Sequence, residues 1–198
     1  MIIKASGWAL AVALGVVLAS GCSSGDGGSG GGGGSFDCKS GCDKILAVKC
    51  PNDTMEKCTS DCETDLTEAG DCAGSLKSLY SCAINLPFTC DASGEASVEG
   101  SASIEKCYPQ QVTYGKCVSC QSDPSDDPCD TCAKQNCCSE LKGVYDEPSF
   151  KDYLICYNNC QDQTCESNCI QQYPGVLDKG KSIVACQNSK CASSCTTP

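Results

Sequence analysis

Sulfur is the chemistry this sequence offers. Cys117-x2-Cys120 followed by Cys129-x2-Cys132 has the ligand spacing of a four-thiolate zinc knuckle. Either pair also suits a thiol–disulfide exchange centre, because C-x2-C spacing lowers a thiol pKa. Cys38-x3-Cys42, Cys58-x3-Cys62 and Cys165-x3-Cys169 instead put two sulfurs on one helical face, which suits the stapling of helices to each other. Twenty-three of the 198 residues are cysteine. That density marks a disulfide scaffold in an exported chain, and metal or catalytic thiols in a cytosolic one. No C-x-C spacing occurs, so a dense metal-storage cluster finds no support.

Carboxylates and aromatics offer less. Asp123, Asp126, Asp127 and Asp130 cluster in sequence, as do Asp61, Glu63 and Asp65. Calcium wants about six to eight oxygen ligands. The nearest approach to a calcium loop, Asp91 to Glu99, has Ala96 where glycine is required, so both clusters read as solvated acidic surface. Phe150, Tyr153 and Tyr157 share a helical face that a glycan or peptide could stack on, but a core this poor in aromatics needs them more. Asn52-Asp53-Thr54 fits a glycosylation sequon.

The sequence contains no histidine, which removes the commonest general base, the Ser-His and Cys-His nucleophile pairs and mixed Cys/His zinc sites. No enzyme is expected. All 14 basic residues are lysine and the net charge is -11, so phosphate backbones are repelled and the guanidinium fork that reads guanine is missing. Nucleic acid is not an expected partner, and no cofactor or metal is expected.

The compartment follows from the first residues. Lys4 precedes an apolar stretch from Trp8 to Leu18, too short to span a bilayer, which closes on Leu18-Ala19-Ser20-Gly21-Cys22. That closing run resembles the lipobox of bacterial lipoproteins with a type II signal peptide. The resemblance implies cleavage before Cys22, a diacylglyceryl thioether on its sulfur and an acylated amino terminus. Several acyl chains make a stable anchor where one would be marginal. Ser23, in place of aspartate, implies the outer membrane under the sorting habit of that family. Parity agrees, because setting Cys22 aside leaves an even number of cysteines to pair.

The positioning elements come next. Residues 1–21 read as signal peptide and 22–35 as the lipidated cysteine with a Gly/Ser linker, a flexible coil of roughly 20 Å end to end. A first cysteine-rich helical module is expected over 36–118 and a second over 119–198. The fold class is all-α: small disulfide-stapled helical hairpins or bundles, with one short β-hairpin near 89–99. Two helices joined at Pro51-Asn52-Asp53-Thr54, the second capped by Asp53 or Thr54, predict a ladder of Cys38–Cys62 and Cys42–Cys58. A helix from Cys72 to Leu86 carries Leu76, Leu79, Tyr80, Ala83 and Leu86 as its apolar stripe and stops at Pro87. Cys90–Cys107 is expected to close the hairpin, before a short helix from Pro109 to Val118.

In the second module a helix opens at Asp130-Thr131-Cys132 and runs through Cys137-Cys138 to about Val144. Glu147-Pro148-Ser149 starts another, which carries Phe150, Tyr153, Leu154 and Tyr157 with Cys156 and Cys160. Cys165 and Cys169 share a short helix. After the break at Tyr173-Pro174-Gly175, a last helix over Leu177 to Ala192 carries Cys186 and Cys191, with Cys195 beyond. Spacing assigns no partners to Cys50, Cys72, Cys82, Cys117, Cys120, Cys129, Cys132, Cys137, Cys138, Cys156, Cys160, Cys165, Cys169, Cys186, Cys191 or Cys195. The whole pattern resembles cysteine-rich helical lipoproteins of the Gram-negative envelope, whose function is unknown and which carry no catalytic motif. The expectation is an exported scaffold, lipid-anchored in the envelope, with an unidentified protein or glycan partner. Metal-binding and thiol-redox readings stand as alternatives.

Overall fold

The computed structural model describes residues 36–123 and 125–195. The signal segment, Cys22 and the linker lie outside them. The described chain is helical apart from one two-stranded hairpin. It forms two compact units that part between Tyr114 and Gly115. The expected boundary at 118/119 is thus displaced by about a helical turn. Tyr114 packs on the Leu76/Leu79 cluster, whereas the Gly115 backbone lies against the Tyr145 ring, so adjacent residues serve different cores.

In the unit 36–114, α1 (Cys38–Leu46) and α2 (Met55–Glu68) form a hairpin. Asp37 and Thr54 cap them, their side chains accepting from Ser40 N and Lys57 N, which satisfies amides that lack intrahelical partners. Cys38 is bonded to Cys62 and Cys42 to Cys58, the two rungs that paired i, i+4 sulfurs on antiparallel helices allow. A 3-10 turn, Gly70–Cys72, leads into α3 (Ala73–Ala83). Its Leu76 and Leu79 pack with Ala69 and Cys107.

Strands β1 (Phe88–Cys90) and β2 (Ala96–Val98) pair antiparallel, with Thr89 opposite Ser97. The tight turn uses Gly94 at φ 82°, where a Cβ would meet Pro51 and Asn52 at 2.9–3.0 Å. The hairpin docks on the α1–α2 turn. Asn52 N donates to Gly94 O at 3.0 Å and Ala96 N to Asp53 Oδ2 at 2.8 Å. That docking corrects the expected Cys90–Cys107 bond: Cys90 is bonded to Cys50 and Cys107 to Cys82. The second correction explains the first. Helix α4 runs over Gly100–Val118 with Pro109 inside it, not from Pro109 onward. Proline removes one helical hydrogen bond, but fully buried Cys107 and 2 % exposed Ile104 anchor the turns before it. Cys107 therefore faces α3, away from the hairpin.

In the unit 115–195, α5 (Pro128–Asn136) opens two residues before the expected start, with Pro128 in its first turn and Asp127 accepting from Asp130 N. The expected continuous helix to Val144 breaks at Cys137 (φ -118°, ψ 22°) before α6 (Cys138–Gly143). The break lets neighbouring sulfurs diverge: Cys137 is bonded to Cys186 and Cys138 to Cys120. After a 3-10 turn over Val144–Asp146 come α7 (Phe150–Asn158), α8 (Gln163–Gln172) and α9 (Pro174–Lys190). Cys129–Cys195, Cys132–Cys191 and Cys137–Cys186 bind α5 to α9 and the residues beyond it. Among the described residues every cysteine, Cys72 and Cys117 included, is disulfide-bonded.

Candidate functional site

Two places gather groups that could do chemistry. The first is a hollow of about 10 Å³ in the unit 36–114, lined by Ile45, Asp53, Lys57, Cys58, Asp61 and Glu95. That is room for roughly one water. Helix α2 brings Lys57 and Asp61 to one face, and the docked hairpin brings Glu95 over them. The Lys57 ammonium is paired to Glu95, and this carboxylate, with smaller contributions from Asp61 and Asp53, raises its pKa. Asp61 Oδ2 is buried without a hydrogen-bond partner. Lys57 offsets one of the three carboxylates, and its pair with Glu95 ties the hairpin to α2.

The expected acidic surface is in large part structural. Asp91 Oδ1 accepts from Ser93 N, Ser93 Oγ and Glu95 N, so the 91–99 loop spends its carboxylate on its own backbone, and these bonds hold the Asp91 pKa down. Asp65 accepts from the Tyr80 hydroxyl at 2.5 Å. Burial raises the pKa of both groups, and the Tyr80 bond offsets part of the Asp65 shift. Glu63 stays exposed. Asp123 Oδ1 accepts from Ser125, Asp127 caps α5, and Asp126, its side chain 1 % exposed, pairs with Lys134 at 2.5 Å. Burial and the neighbouring carboxylates of Asp127 and Asp126 push Asp130 up.

The C-x2-C pairs do not stand as dithiols. Cys129 and Cys132 reach Cys195 and Cys191, and Cys120 reaches Cys138. Neither a knuckle nor an exchange centre is built from them. Phe150 and Tyr153 are 2 % and 1 % exposed. They form the aromatic core, with Tyr145, Tyr157 and Tyr173 at centroid distances of 5.4–6.2 Å. Tyr157 is half-buried.

The second place was not legible as a site. Helices α7 and α8, joined by a short turn, bring together Cys156, Cys160, Cys165 and Cys169. The bonds are Cys156–Cys169 and Cys160–Cys165. The Sγ atoms of Cys160, Cys165 and Cys169 all lie within 4.8 Å of one another. Across the two bonds Cys160 Sγ is 3.5 Å from Cys169 Sγ. Metal ligation needs thiolates, and all four sulfurs are oxidised, so the cluster as it stands is disulfide chemistry. The sequence signal is the paired C-x3-C spacing of 156/160 and 165/169, which the α1–α2 hairpin shares without such a cluster of three sulfurs.

Among the described residues no helix is long and apolar enough to cross a membrane. No protein-family model, curated protein or solved structure matches this chain.

Proposed function

We propose that the chain is a non-enzymatic lipoprotein of the bacterial cell envelope. It is exported, cut before Cys22 and anchored in the outer membrane by lipid on that residue. Two disulfide-stapled helical units then stand off the membrane on the glycine-rich tether and serve binding or structural roles. The observation that carries this reading is the apolar run ending in Leu18-Ala19-Ser20-Gly21-Cys22. Complete oxidation of the described cysteines supports it, because such bonds persist in oxidising compartments and are rare in the cytosol.

Mass spectrometry of protein isolated from the cell envelope tests the reading. A mature chain beginning at Cys22 with a diacylglyceryl adduct is the expected result, and Cys22→Ser should release the protein from the membrane fraction. An amino terminus elsewhere with Cys22 unmodified overturns the proposal.

A further inference from the structure

Disulfides pack beside one another elsewhere in this protein, as Cys137, Cys186 and Cys191 do. The α7–α8 hairpin differs. Among the described residues only Cys160, Cys165 and Cys169 put three sulfurs within 4.8 Å of each other, and the fourth, Cys156, is one bond away from Cys169. Exchange proceeds when a thiolate reaches a sulfur of a neighbouring disulfide. The 3.5 Å separation of Cys160 Sγ and Cys169 Sγ is contact distance for that attack. Access differs as well: Cys160 and Cys165, like Cys156, are partly exposed, whereas Cys169, the sulfur that Cys160 would attack, is 1 % exposed. An external thiol meets the Cys160–Cys165 bond before it meets the sulfur behind it.

We propose that Cys156, Cys160, Cys165 and Cys169 form a thiol–disulfide exchange site that takes two electrons from a dithiol at Cys160–Cys165 and passes the opening inward to Cys156. In the first step a thiolate of the dithiol attacks Cys160 Sγ. The Cys160–Cys165 bond breaks, and its electron pair leaves on Cys165 Sγ. Cys165, in the first turn of α8, carries the departing pair until a proton reaches it. The second thiol of the reagent then attacks its own mixed disulfide. It becomes a cyclic disulfide and releases Cys160 as thiolate; the two protons of the dithiol pass to Cys165 and to solvent. In the third step the Cys160 thiolate attacks Cys169 Sγ. The Cys160–Cys169 bond forms, the Cys156–Cys169 bond breaks and the pair departs on Cys156 Sγ, with no net oxidation. The three steps convert a closed site into one holding thiols at Cys156 and Cys165. This reading is independent of the lipid anchor.

The test uses the intact oxidised protein and dithiothreitol below one equivalent, quenched with N-ethylmaleimide over a time series. Tyr157, Asp162 and Glu166 fall between the four cysteines, so cleavage at these residues assigns every label. Label on Cys160 and Cys165 at early times, moving to Cys156 and Cys165 as a Cys160–Cys169 bond appears, is the expected result. Label that remains on Cys160 and Cys165 overturns the inward step, and first label on any other disulfide overturns the site. Cys165→Ser needs no reductant, since it leaves Cys160 as a thiol beside Cys156–Cys169. It should divide its label between Cys160 and Cys156, with at least about a tenth on Cys156 if the two pairings differ less than tenfold. Label on Cys160 alone overturns the proposal.

Discussion

The two units use the same bond to different ends. In residues 36–114 four bonds join cysteines 16 to 40 residues apart in neighbouring elements. In residues 115–195 three bonds span 49 to 66 residues and tie the first helix to the end of the chain. Loop length alone separates them little, since closing 16 residues contributes about 3 kcal/mol and closing 66 about 4 kcal/mol on the entropic account. What differs is the packing beside the bonds. One buried cluster of the first unit is Leu76, Leu79 and Ala69 around Cys107, with Leu66, Tyr80, Leu86 and one further sulfur, Cys82, against it. The cluster under the long ladder is Cys137, Cys186 and Cys191, with Cys132 and Cys195 against it. There the cross-links are themselves the core, so removing them removes both the constraint and the filling.

The largest effect should therefore come from replacing the three long-ladder pairs with alanine. Thermal melting of that variant is expected to lose the cooperative transition of the second unit, a change of more than about 5 kcal/mol at 2–4 kcal/mol per bond. Alanine at Cys38, Cys42, Cys58 and Cys62 should leave a weakened but cooperative first unit. Equal collapse of both would break the comparison.

Ion pairs should divide the same way. Lys134→Met leaves the Asp126 carboxylate, its side chain 1 % exposed, with only the Asp123 amide among these partners and is expected to cost about 1.5–3 kcal/mol by denaturant titration. Lys57→Met removes a partly exposed pair and should cost no more than about 1 kcal/mol. Leu79→Ala, at a side chain 4 % exposed, should cost about 3 kcal/mol in the first unit. Gly115→Ala would drive a Cβ to 2.4–2.6 Å from the Tyr145 ring, and a loss of about 1–3 kcal/mol is expected. At Gly175 the obstacle is the Glu147 carboxylate, the end of a flexible side chain held by Ser149, so Gly175→Ala should cost no more than about 1 kcal/mol.

The smallest contrast is alkaline. Burial, then the hydrogen bond to Asp65, raises the Tyr80 hydroxyl, and burial with Tyr157 and Glu166 nearby pushes Tyr153 up to about 12. Each hydroxyl keeps its proton in the fold after the unfolded chain has released it near 10.0. Their stabilisation is complete below that pH and is lost as pH rises, for Tyr153 between 10.0 and about 12. Tyr80→Phe and Tyr153→Phe should each flatten the alkaline limb of the stability curve, and an unchanged slope in either would contradict the assignment.

Much of the secondary structure was legible because local chemistry specifies it. Thr54 caps, Pro128 opens, and the spacing of Leu76, Leu79 and Ala83 puts them on one buried face. Helix α4 was misread because Pro109 looks like a first-turn residue until the buried Ile104 and Cys107 show what lies before it. The two-rung ladder followed from i, i+4 spacing on a tight hairpin, where only one antiparallel pairing is short enough to close.

Composition by itself determined that sulfur would hold this protein together and that histidine chemistry was out of reach, because both depend only on which atoms the chain contains. Which sulfur meets which is another matter. Cys50 reaches Cys90 because a hairpin lies across the Pro51–Asn52 turn, and Cys137 and Cys138 part company because a helix breaks between them. Those distances arise from docking between elements far apart in the chain, and so does the meeting of four sulfurs between α7 and α8.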